Sequence, residues 1–159
     1  MTILAGAKIL ASDMYVPTRH GILLRRVAAL SCTSGVTVNI PWDTEDEDTD
    51  NYITVSSTTV TIPTGLGGLY NITYRIKMSG PVTGRCFSEL QVTTAITGWN
   101  APNTDPWRQE MPGASAGDAY MASISVPLLA GDSFITAVRQ TSGGALNATA
   151  WLSAHLSGV

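Results

Sequence analysis

Hydrophobic and polar residues alternate along most of this chain with a period of two, the signature of strands with one buried face. In "GLYNITYRIKM", Tyr70, Ile72, Tyr74, Ile76 and Met78 fall on one side, and Asn71, Thr73, Arg75 and Lys77 on the other. In "LNATAWLSAHL" the split is sharper. Leu146, Ala148, Ala150, Leu152, Ala154 and Leu156 face one way, against Asn147, Thr149, Trp151, Ser153 and His155. The alanines predict a tightly packed strand near the centre of its sheet.

Similar runs occupy residues 22–31, 35–42, 51–55, 59–63, 85–96, 119–129 and 133–140, separated by Gly, Pro, Asn, Asp and Ser. Short strands between turn signals, with no helical patterns of 10–15 residues alternating among them, predict an all-β sandwich or barrel. Pro63 cannot donate a ladder hydrogen bond, so it closes its strand or sits at an edge. Gly65, Gly67 and Gly68 then let the chain turn before Leu69. Residues 1–20 carry a few apolar positions without a sustained period and are set off by Pro17 and Gly21. They read as an N-terminal arm, with the sandwich over residues 21–159. Ile3, Leu4, Ile9, Leu10 and Met14 are the arm's candidate anchoring residues.

A chain of 159 residues fits one domain with a real core. Only 13% of residues are charged, against roughly 25% in ordinary soluble domains. The net charge of −3 and the scatter of the few Lys and Arg argue against nucleic acid as a partner. No apolar run approaches the roughly 20 residues that span a bilayer, so membrane insertion is not expected. The start lacks the cationic segment and long apolar block of a signal peptide, which points to synthesis in the cytoplasm. Without such a signal, the sequons at Asn71 and Asn147 carry no expectation of glycosylation. Cys32 and Cys86 lie in separate strand-like runs without metal or redox spacing and are expected to be reduced, buried and hydrophobic in role.

Candidate chemistry is concentrated in two segments. Residues 97–118, "TGWNAPNTDPWRQEMPGASAGD", have no regular pattern and read as an ordered, irregular loop. Aromatic faces stack on sugar rings while amide, carboxylate and guanidinium groups bond hydroxyls, so Trp99, Asn100, Asn103, Asp105, Trp107 and Arg108 form a candidate glycan-contact set. The other reading is a loop that caps its own sandwich or meets a neighbouring subunit. In "WDTEDEDTDNY", Asp46, Asp48 and Asp50 are candidate ligands for Ca²⁺, although the run lacks the glycine turn and distal glutamate of an EF-hand loop. The alternative is a solvated acidic loop that holds no cofactor.

Catalysis is not expected. "GASAG" over residues 113–117 formally matches the Gly-x-Ser-x-Gly elbow around Ser115, yet Pro112 precedes it, no core strand is expected to lead into it, and a strand-like run follows. The two histidines, His20 and His155, have no evident Asp partner in the sequence.

Taken in order, the segments resemble a family. "TVTIPTGLGGLYNITYRI" resembles the strand-Pro-Gly-Leu-Tyr-strand segment of C1q/TNF-like jelly rolls, and "VPLLAGDSFITAVRQTSG" resembles their later strand pair. "IPWDTE" and "QTSGGAL" are similar to segments of the version found in bacteriophage tail, fibre and head-fibre proteins. "AGAKILASDM" resembles the N-terminal segment of tail proteins from phages of actinobacteria. The resemblance spans residues 22–159 and that N-terminal tag. It implies a jelly roll of about ten strands and a homotrimer located on a virion. It further implies an arm that contacts other virion proteins, and a surface for host attachment, such as a host glycan, or for particle decoration. A purely structural tail or capsid component without a receptor is the second reading, and a cellular C1q-like ligand-binding module the third. Trp99, Trp107 and Trp151 are the apolar side chains expected to be available to a partner.

Overall fold

The computed structural model describes residues 19–80, 82–96, 107–114 and 119–158, and for residues 82, 107, 111–114, 119 and 120 it describes the backbone. Among the described residues there is no helix, and ten strands form two antiparallel sheets. They are β1 (Gly21–Cys32), β2 (Thr37–Asn39), β3 (Thr44–Asp48), β4 (Thr59–Thr61), β5 (Gly68–Met78), β6 (Val82–Thr93), β7 (Trp107–Ala114), β8 (Ala119–Leu128), β9 (Ser133–Gln140) and β10 (Leu146–Gly158). One sheet has the order β3-β1-β10-β5-β8, the other β2-β9-β6-β7, with β4 also paired to β9. Two short strands therefore share one edge of β9: β2 pairs at Ala137 to Arg139 and β4 at Ser133 to Ile135.

The predicted alternation holds. Tyr70, Ile72, Tyr74, Ile76 and Met78 are all buried, and they meet Cys86, Leu90, Val92, Phe134 and Val138 of the facing sheet in one core. β10 lies at the centre of its sheet, with Ala148, Leu152 and Ala154 buried. Small side chains there let neighbouring layers approach. Cys32 and Cys86 are buried and not joined in a disulfide, and burial together with the neighbouring Cys86 sulfur pushes the Cys32 thiol up to about 11.

After β4, Gly65 turns the chain with φ +84°. At Gly68 a Cβ would lie 2.2 Å from the Gly158 carbonyl oxygen, so the close approach of β5 to the end of β10 requires glycine.

Three expectations are corrected. Residues 44–48, read as part of an acidic loop, form β3, because an edge strand tolerates charge on its open side and β1 supplies its ladder partners. Residues 51–55, read as a strand, are not one. The Asp48 carboxylate accepts the backbone N–H groups of Asp50, Tyr52 and Ile53, and Asn51 and Ser56 adopt positive φ. Residues 107–114, read as irregular, form β7 at the edge of the second sheet, where Pro112 costs no internal ladder bond.

Candidate functional site

The solvent-side face of the β3-β1-β10-β5-β8 sheet has an unusual make-up. On β5 the alternation that buries the tyrosines turns Asn71, Thr73, Arg75 and Lys77 outward. Cross-strand pairing sets Trp151 opposite Arg75 and Thr149 opposite Lys77 on β10, and Met121 opposite Arg75 on β8. Hydroxyl and amide groups tie β5 to β8: Thr73 Oγ1 lies 2.9 Å from Ser123 Oγ, and Ser125 Oγ donates to Asn71 Oδ1 at 2.6 Å. Large apolar side chains stand among them, with Met121 61%, Val27 57% and Leu69 44% exposed and Trp151 half-buried. Apolar and hydroxyl side chains thus share this face with the two cations Arg75 and Lys77.

A β-bulge shapes one side of this face. The β1–β10 register shifts between Arg26 and Leu30, and the Asp43 carboxylate accepts the N–H of Val27 and of Ala28, each at 2.8 Å. Burial pushes Asp43 up, but those two N–H groups, the Thr44 hydroxyl and Arg26 outweigh it and hold Asp43 below the usual carboxylate range. Beside the bulge lies a groove of about 500 Å³ lined by Ala29, Lys77, Ser79, Asn147 and Thr149. A second hollow of about 210 Å³, lined by Arg75, Lys77, Thr149 and Trp151, adjoins it.

The three candidate Ca²⁺ ligands do not converge. Asp46 is bound by the Arg25 guanidinium, which lowers its pKa; Asp48 is turned onto backbone N–H groups; and Asp50 accepts from Thr49 and meets His20 Nδ1 at 2.9 Å. Among the described residues no three His, Cys, Asp or Glu side chains form a cluster that could hold a metal ion.

Of the candidate glycan set, Trp99, Asn100, Asn103 and Asp105 lie outside the described residues, and of Trp107 the backbone is described, opposite Leu90 in β7. Arg108 is committed elsewhere. Its Nε and Nη2 both donate to Glu89 Oε1, at 3.0 and 2.8 Å, and its guanidinium lies 5.1 Å from the Phe87 ring centroid. The anchoring residues Ile3, Leu4, Ile9, Leu10 and Met14 also lie outside the described residues.

Arg19 and His20 meet the sandwich through two histidine contacts. His20 does have an Asp partner, Asp50, which the sequence did not reveal because 30 positions separate them. Arg19 donates to His155 Nε2 at 3.0 Å, and burial, then Arg19, lowers the His155 pKa. The edge strand β7 runs into the Gly-x-Ser-x-Gly match, and the strand β8, expected there, follows it. A nucleophile elbow is instead a strand-to-helix turn.

Arg75, Lys77 and Met121 were not singled out from the sequence. The period-two pattern placed Arg75 and Lys77 on the polar face of β5, but the neighbours that make that face a site come from distant strands.

No family model matches this sequence, and no curated protein matches it. Solved structures do. The chain is similar to vertex protein P5 of the phage PRD1, with TM-score 0.65, 16% identity, and coverage of 87% of this chain and 96% of that one. It is similar to the globular domain of zebrafish complement 1qA, with TM-score 0.61, 13% identity, and coverage of 87% and 97%. It is also similar to the Eiger TNF of S. frugiperda, with TM-score 0.56, 14% identity, and coverage of 89% and 94%. The fold is a C1q/TNF-like jelly roll.

Proposed function

We propose that this C1q/TNF-like jelly roll is a structural protein of a phage particle. In this reading it assembles as a homotrimer, joins other virion proteins through its N-terminal arm, and presents a surface for host attachment or particle decoration. The observation that carries the reading is the likeness, over nearly the whole described chain, to a phage vertex protein. The phage-type motifs at residues 40–45 and 140–146 and the tag "AGAKILASDM" support a tail, fibre or head-fibre position.

The subunit interface is the solvent-side face around β10 and β5. Leu69, Val27 and Met121 are exposed there, Trp151 is half-buried, and hydroxyls outnumber charges. Apart from Arg75 and Lys77, such a face desolvates few ions on association. Chemical cross-linking followed by mass spectrometry of the denatured chains tests the assembly. A ladder that ends at three chains is expected, and one that stops at single chains contradicts it.

A second reading, a structural component without a receptor, is favoured by one detail. Arg108 of the candidate glycan set already holds Glu89, which is 2% exposed, and releasing it would strand a buried carboxylate. Substituting Arg108 is then expected to cost stability rather than to abolish attachment.

A further inference from the structure

The sheet that bears this face is electrically lopsided, and on its edge strand β3 the register sets Glu47 opposite the half-buried Leu23 and Glu45 opposite the buried Leu24, so that the acids line the edge from both sides. At one edge, β3 carries Glu45, Asp46, Glu47 and Asp48, and the one cation paired with them is Arg25, held by Asp46. Three strands along the same sheet, β5 turns out Arg75 and Lys77, both exposed and, among the described residues, in no ion pair. Glu45 and Glu47 likewise form no ion pair with a Lys or Arg among the described residues, and Glu47 stands near His155. Three strand spacings put roughly 14 Å between β3 and β5. The two charged groups therefore cannot neutralise each other within one molecule.

We infer that a second copy of the chain seats its acidic β3 edge, through Glu45 and Glu47, against Arg75 and Lys77 of the first, over the groove beside the β1 bulge. The inference rests on the trimer proposed above and assigns which parts of the face meet. Charge complementarity selects the occupant: the most acidic strand of this chain meets its unpaired cation pair. The hollows lined by Lys77, Thr149 and Trp151 give the incoming side chains room, with hydroxyl and amide groups of Thr149 and Asn147 at hand. Because the two patches differ and lie on one chain, the contact is head-to-tail. A head-to-tail contact closes into a ring when its rotation is a whole fraction of a turn, and at 120° the three-fold ring uses every copy's β3 and every copy's β5 once. Met121, opposite Arg75, is covered by the same contact.

Charge exchange tests this. The full chain carrying Arg75→Glu and Lys77→Glu is expected to lose the three-chain species, because like charges then face each other. Adding Glu45→Lys and Glu47→Lys to that same chain is expected to restore it. Thermal melting of each variant shows whether the monomer still folds, and the milder pair Arg75→Gln and Lys77→Gln serves if the reversed pair does not. In the native chain, raising the salt from about 0.05 to about 1 M is expected to shift the assembly midpoint to higher protein concentration, since Debye screening shortens from over 10 Å to about 3 Å. A native chain that is trimeric, with the four-fold exchange failing to restore assembly and the neutral pair leaving it intact, overturns the pairing and leaves the trimer standing. A native chain that is monomeric overturns the trimer itself.

Discussion

Asp43 holds the backbone of Val27, accepting its N–H at 2.8 Å, while its second carboxylate oxygen accepts that of Ala28. One side chain thus fixes the bulge that interrupts the β1–β10 register and opens the groove beside Lys77. Asp43→Ala is expected to lower stability by about 1–2 kcal/mol, since water replaces part of two charge-assisted bonds at this half-open site. A Tm lower by roughly 2–8 °C is the corresponding reading. The pH dependence has a definite sign. The folded pKa of Asp43 is depressed, so its contribution is present above the unfolded value near 3.9 and is lost as pH falls through the folded value. The stability gap between the native chain and Asp43→Asn is expected to shrink steadily below about pH 4.

Asp48 binds three backbone N–H groups rather than a cation, those of Tyr52 at 2.9 Å, Ile53 at 3.1 Å and Asp50 at 3.2 Å. Asp48→Ala is expected to cost about 1–3 kcal/mol by leaving those donors without their acceptor. With Asp46 held by Arg25 and Asp50 by Thr49 and His20, melting curves in Ca²⁺ and in chelator are expected to coincide. A Tm that rises with Ca²⁺ would restore the cation site.

Tyr70 donates its hydroxyl to the Leu66 carbonyl at 2.7 Å and lies 3.1 Å from the Tyr52 hydroxyl, both rings being buried. Tyr70→Phe removes the acceptor of one buried group and the donor of another, and is expected to cost about 1–3 kcal/mol. Tyr52→Phe leaves the Leu66 bond intact and is expected to cost less. Equal losses in chemical denaturation would mean that the pair does not act in this order.

The described chain opens at Arg19, and the His20 carbonyl accepts the N–H of Leu156 at 3.0 Å. Deleting residues 1–18 keeps that bond and the His20–Asp50 pair. The truncated protein is expected to fold with a sharp thermal transition while failing to join particles in a reconstitution assay. A truncated protein that cannot fold would make the arm part of the core.

Much of the sandwich was legible because burial imposes a period of two. Tyr70 to Met78 and Ala148 to Ala154 repeat it, and both strands are central. The misread segments are those where burial does not dictate pattern. β3 and β7 are edge strands, so "TEDED" and "WRQEMPGA" follow their neighbours' ladders rather than a hydrophobic alternation. Residues 51–55 have strand-like residues, but the Asp48 carboxylate captures their backbone donors. The face proposed for assembly was half legible. Pattern placed Arg75, Lys77 and Trp151 on polar faces, but that Trp151 stands opposite Arg75, and β3 on the same sheet, follows from register, which no local signal encodes.

The central claim is that this jelly roll works as a trimer. Light scattering of the purified chain across a dilution series tests it most directly. The expected result is a stable species of three times the 16.8 kDa chain mass, persisting on dilution. A single-chain mass at every concentration would contradict it.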